Sequence, residues 1–209
     1  MEDVDLALIL ALDCSASVSY EEFGLLAGGT AAALREPDVA AGLIGGPAGA
    51  CLLALLLWSG TGAQEVLVEW NRVASPPELE AFAEQVDRVP RVVRAGATAI
   101  GEALQAAEAL LAAIPAAAHR QVIDMVGDGR SNEGIMPGVV RDRLADRGVT
   151  INGLCVLHDE PDLLDSYRAE VIGGPGAFVL QCQDFAGFAA AMRQKLAREI
   201  AFVQRADQA

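Results

Sequence analysis

Leu6-Ala-Leu-Ile-Leu-Ala-Leu-Asp13-Cys-Ser15-Ala-Ser17 is the stretch from which the rest of the chain is read. An apolar run of strand length ends abruptly in a carboxylate, and two hydroxyls follow at alternating positions. The run is apolar on both faces, as a central strand of a parallel sheet is. Asp13 therefore falls at or just beyond the carboxyl end of that strand, on the rim where open α/β sheets bind ligands. Asp-x-Ser-x-Ser presents one anionic and two neutral oxygens from a single turn, a set that suits a hard cation such as Mg2+. Taken alone, the same residues also read as a strand followed by an ordinary Ser-rich helix cap.

Length and composition narrow the alternatives. At 209 residues the chain reads as one domain, 1–209, long enough to bury about 70% of the surface exposed by its unfolded state. Hydrophobic residues make up 53% of it, which is a globular composition. A formal net charge of −14 and a pI near 4.4 argue against binding nucleic acid or anionic membranes, since both need basic patches. The apolar runs are too short, or too interrupted by Gly and charge, to insert across a bilayer. Met1-Glu-Asp-Val-Asp leads straight into the first strand without the segments of a signal peptide. A trimmed mature chain would place the protein in the periplasm or outside the cell, and a complete one in the cytoplasm. Cys14, Cys51, Cys155 and Cys182 show neither CxxC pairing nor zinc spacing. Buried free thiols are expected, with a Cys155–Cys182 disulfide open as an alternative if their strands are neighbours.

The remaining chain alternates helices and strands. Ser19 caps a helix from Tyr20 through Leu34, and a turn-rich connection between Arg35 and Gly49 leads to a second buried strand, Cys51 to Trp58. Glu65 to Trp70 alternates as an edge strand, and the short gap before it requires an antiparallel hairpin. A helix opens at Ser75 and ends near Pro90. Thr98 then starts a long Ala/Leu helix, and Arg120 to Val126 forms a buried strand ending in Gly127-Asp128-Gly129. Pro137 to Arg147 is a helix, Val149 to Leu157 a strand, Pro161 to Glu170 a short helical piece and Gly176 to Gln181 the last strand. Asp184 caps a closing helix through about Phe202. The expected fold is α/β: a doubly wound, Rossmann-like, mostly parallel six-stranded sheet with one antiparallel edge strand and helices on both faces.

Asp13, Ser15 and Ser17, then Thr98, then Asp128 all fall on the predicted rim, so they can converge across the sheet. Together they resemble the von Willebrand factor type A (vWA) domains, in that family's chain order and over essentially the whole chain. The resemblance rests on Asp13-Cys-Ser15-Ala-Ser17, on Thr98 in Gly-Ala-Thr-Ala-Ile-Gly and on Asp128 in Gly-Asp-Gly. It implies an intact metal-ion-dependent adhesion site (MIDAS). Ser15, Ser17 and Thr98 would then touch Mg2+, or Mn2+ or Ca2+, directly. Asp13 and Asp128 would act largely through bound water. The open position would take a carboxylate from a protein or peptide partner. Within the family, Trp58-Ser-Gly, Ile151-Asn-Gly-Leu and Val171-Ile-Gly-Gly-Pro-Gly-Ala-Phe look most like an uncharacterised bacterial group of often exported A-domain proteins. The implied function is a divalent-cation-dependent binding module and not an enzyme. The rival reading is a Mg2+-dependent hydrolase or phosphoryl-transfer enzyme. That enzyme needs an activated nucleophile or a cation for the transferred group; no Gly-x-Ser-x-Gly elbow occurs, no Lys lies near the three loops, and Arg130 is the obvious cation there.

Other residues divide between site and scaffold. His158, with Asp159 and Glu160, follows a strand at the same rim and reads as a solvated loop residue or a border of the site. His119 reads as a surface residue at the opposite end. Asp124 sits inside an apolar strand, where a carboxylate must be paired; support of the structure is favoured over help to the metal shell. Arg130 and Asn132 either shape the loop after Asp128 or touch a partner. Trp58 and Trp70 read as packing residues, with Trp58 ending near the rim.

Overall fold

The computed structural model describes residues 3–158 and 160–206, with side chains through residue 200; Met1, Glu2, Asp159 and residues 207–209 lie outside it. Among the described residues, six strands form one sheet in the order β3-β2-β1-β4-β5-β6. They are β1 (Val4–Asp13), β2 (Cys51–Trp58), β3 (Gln64–Val73), β4 (Ala118–Gly127), β5 (Thr150–Val156) and β6 (Val179–Cys182). All pairings are parallel except β2 with β3, the edge hairpin. The order reverses between β1 and β4, and that switch point opens a crevice outside the carboxyl ends of those two strands.

Side-chain alternation along β1 builds both layers. Leu6, Leu8, Leu10 and Leu12 face one core, which is closed by α1 (Tyr20–Arg35), α2 (Pro37–Ile44), α3 (Pro76–Asp87) and α7 (Phe188–Ala206). Ile9 and Ala11 face the other, closed by α4 (Ile100–Ala112), α5 (Pro137–Asp146), α6 (Leu163–Ser166) and a π-helical turn, Tyr167–Val171. Every residue of β1 and of β2 is buried, which is why neither shows a polar face.

Local signals account for most boundaries. Ser19 caps α1 by accepting from the Glu22 N–H, while the Glu22 carboxylate accepts from the Ser19 N–H, closing a capping box. Asp184 accepts from the Gly187 N–H and caps a short turn, Phe185–Gly187, that runs into α7. The connection read as turn-rich contains α2. Pro37 starts that helix, and Val39 and Leu43, one turn apart, are its buried face. Its eight residues are too few to show a helical period between flanking glycines and prolines. Cys155 and Cys182 do lie on neighbouring strands, but all four cysteines are free and buried, and the Cys182 thiol points to the Cys155 carbonyl oxygen at 3.8 Å. No helix among the described residues is long and apolar enough to cross a membrane.

Candidate metal centre

Asp13 is the last residue of β1, and period-two alternation turns its side chain to the face of Ile9 and Ala11. The chain then turns sharply. The Ser15 N–H donates to Asp13 Oδ1 at 2.7 Å, closing an Asx-type turn that stacks the two serines above the carboxylate. The Ser15 and Ser17 hydroxyls are 3.1 Å apart, and Ser17 donates to Asp128 Oδ1 at 2.7 Å. Oxygens from residues 111 positions apart thus share one point over the switch crevice.

The third loop is held by a two-point clamp. The Thr98 N–H donates to Asn132 Oδ1 at 2.9 Å, and the Asn132 N–H donates to the Thr98 carbonyl at 2.9 Å. Thr98 lies two residues before α4, not in its first turn. Ser17, Thr98, Asp128, Asn132 and Glu160 line an open cleft of about 390 Å³, with Asp13 and Ser15 buried beneath it. The five residues read from the sequence are therefore brought together. Their donors are all oxygens, two carboxylates and three hydroxyls, the composition hard cations accept.

Electrostatics sharpen the arrangement. Burial, and then the nearby Asp128 charge, raise the Asp13 carboxyl to about 7. Asp13 Oδ2 has no hydrogen-bond partner among the described residues. Burial pushes the Cys14 thiol up to about 12, so it supplies no nucleophile at neutral pH.

One neighbour escapes the sequence. Arg91, from the loop before α4, donates to the Cys14 and Ser15 carbonyls at 3.1 and 3.0 Å and lies over the Tyr20 ring. Glu160 borders the cleft and pairs with Arg130 at 3.2 Å. No spacing signal links Arg91 to the loop after β1, because it acts across 77 residues of chain, whereas Glu160 and Arg130 follow strand ends on the same rim. His158 is exposed beside Phe185 and does not line the cleft, and Asp159 lies outside the described residues. His119 lies within β4, more than half exposed at the opposite end of the sheet. Asp124 faces away from Asp13, toward α7, where it is fully buried against the Lys195 ammonium, the partner an interior carboxylate needs. Trp58 is fully buried, and Trp70 donates its indole N–H to the Leu110 carbonyl at 3.0 Å.

A family described as "Protein of unknown function (DUF1194)" matches residues 3–204. The chain belongs to this family. No curated protein matches this DUF1194 member. Solved structures do share its fold. A von Willebrand factor type A protein from Catenulispora acidiphila superposes with a TM-score of 0.64 at 20% identity, over 95% of this chain and 43% of that one. The vWF domain of a type V pilus tip protein from Porphyromonas gingivalis gives 0.62 at 13% identity, over 95% and 96%. Proximal thread matrix protein 1 from the mussel byssus, described with a zinc-occupied MIDAS motif, gives 0.61 at 16% identity, over 94% and 46%. The DUF1194 chain thus spans less than half the length of the Catenulispora and mussel chains, and it has the vWA-type fold.

Proposed function

We propose that residues 1–209 are a single vWA-like domain that holds a divalent cation at a MIDAS-type site and uses it to bind a protein or peptide partner through a carboxylate. The observation that carries this reading is the contact of Ser17 with both Ser15 and Asp128 directly above Asp13, at the switch point of the sheet. The likeness to the vWF domain of a pilus tip protein, and the zinc described at the mussel protein's MIDAS motif, support it.

Ser15, Ser17 and Thr98 would offer neutral hydroxyl oxygens, and Asp13 and Asp128 would accept from ordered water. Mg2+ is the favoured ion, with Mn2+ and Ca2+ as alternatives. With few direct anionic ligands, the bound ion keeps much of its positive charge for a partner carboxylate. The Asx turn at Asp13 and the Asn132 clamp hold the three loops in place, so little ordering remains to be done on binding. The charge of −14 repels acidic partners at long range, but salt screens that repulsion beyond about 8–10 Å. Near the site, Arg91 supplies local positive charge, and Arg130 offsets Glu160, which lines the cleft. Recognition of this kind involves no catalytic step.

Calorimetric titration of the metal-stripped protein with Mg2+, Mn2+ and Ca2+ tests the reading. One-site binding is expected for the wild type and its loss for Asp128→Ala, with the circular dichroism spectrum of the variant unchanged. Silence of the wild type, both alone and with acetate present to complete the site, would overturn the cation mechanism.

A further inference from the structure

Asp13 Oδ2, Trp58 Nε1 and Tyr167 Oη are fully buried polar atoms without hydrogen-bond partners among the described residues. Buried orphans are rare, and each one calls for an explanation. These three share a location. Asp13 and Trp58 are direct register neighbours on β1 and β2, on the sheet face that Tyr167 also packs against. Between them lies Gly127, the last residue of β4. A Cβ on Gly127 would sit 2.6 Å from Tyr167 Oη, 2.9 Å from Asp13 Oδ2 and 3.3 Å from Trp58 Cζ2, the carbon bonded to the one that carries Nε1. A side chain there would collide with its neighbours, so only glycine lets the phenol oxygen, the carboxylate oxygen and the indole edge crowd together at this point. Tyr167 opens the π-helical turn Tyr167–Val171, a distortion often found at functional sites.

We infer that the Tyr167 phenol donates to the buried oxygen of Asp13 through one enclosed water, which the Trp58 indole also bonds, and that Tyr167 is thereby a positioning residue for the metal loop. A buried water typically makes about three hydrogen bonds, and three unpartnered polar groups sit on the residues that meet here. One Asp13 oxygen is already fixed by the Ser15 N–H. Securing the other sets the rotation of the carboxylate, and with it the direction in which the Asp13–Ser15 turn presents its hydroxyls. The positioning role toward a cation rests on the function proposed above; the hydrogen bond itself does not.

Tyr167→Phe tests the inference, because it removes one oxygen and keeps the ring. Melting of the metal-free protein and Mg2+ affinity by calorimetry are both read against wild type. A working donor predicts that Tm falls by about 2–4 °C, as for a lost buried hydrogen bond. It also predicts that Mg2+ binding weakens by about 10- to 100-fold, the usual effect of removing a group that orients a ligand. A wild type that binds Mg2+ alongside an unchanged affinity in the variant overturns the positioning role and leaves the cation site standing. If the wild type binds none of Mg2+, Mn2+ and Ca2+, alone or with acetate, the proposed function fails and the melt alone decides. A lowered Tm then supports the hydrogen bond to Asp13, and an unchanged or raised Tm, as expected on deleting an unpartnered hydroxyl, overturns it.

Discussion

Asp13 concentrates the chemistry of the candidate centre, and its ionisation leaves a measurable trace. In the metal-free native chain its carboxyl titrates at about 7, against 3.8 for the ordinary group. Between those values the native state binds the extra proton, so stability from this group is full below the lower value and declines as pH rises to the upper one. The loss is about 4 kcal/mol at one pKa unit per 1.36 kcal/mol. Asp13→Asn keeps the shape without the titration. From pH 4 to 7.5 without metal, the urea midpoint of the wild type should fall relative to that of the variant, and parallel curves would show that Asp13 ionises freely. At this scale the sequence was informative where residues follow the strand-end rule, as Asp13, Ser15, Ser17, Thr98 and Asp128 do. It was silent on Arg91, 77 residues from its partner, and on Tyr167, which meets Asp13 only after folding; Asn132 was read as shaping the loop after Asp128, but its clamp on Thr98, 34 residues away, was not.

Among the elements, α7 is attached to the sheet in an unusual way. Lys195 and Glu199 are fully buried on its inner face; the Lys195 ammonium contacts Asp124 of β4 and lies 3.3 Å from Glu199. Asn152 of β5 donates to Glu199 at 2.8 Å and accepts from the Phe178 N–H at 3.0 Å. Burial, and then the Asp124 charge, raise the Glu199 carboxyl. Removing one member of such a cluster strands the others. Lys195→Met should cost about 3–5 kcal/mol in denaturant unfolding. The double variant Asp124→Leu/Lys195→Met should recover much of that loss, since the Glu199 carboxyl that remains is raised by burial and can stay protonated beside Asn152. A double variant as unstable as the single one would mean that packing, not charge, is what Lys195 supplies. An interior Asp in an apolar strand announced that it needed a partner, but only packing chose Lys195. In α2 the reverse holds: its helix-start proline was visible, yet eight residues between turn-forming stretches carry too little periodicity to be read as a helix.

For the whole molecule, an excess of 14 negative charges on 209 residues makes self-repulsion a global term. Metal-free Tm should therefore rise as NaCl is raised from a few millimolar to about 150 mM, where the Debye length shrinks to about 8 Å. A flat response would mean that the paired surface groups, such as Glu108 with Arg143 and Arg147, already neutralise that field locally. The sequence by itself determined the α/β architecture, the antiparallel edge and the rim on which the hydroxyls and carboxylates fall. Burial on both faces, short connections and strand ends are properties of contiguous residues, and they leave a pattern along the chain. Only the tertiary structure decided which oxygens meet, that Cys155 and Cys182 stay thiols on adjacent strands, and that Asp13 shares a buried space with Trp58 and Tyr167. Those outcomes depend on register, side-chain direction and the room left by a single glycine, and such distances exist only once the sheet has closed its layers.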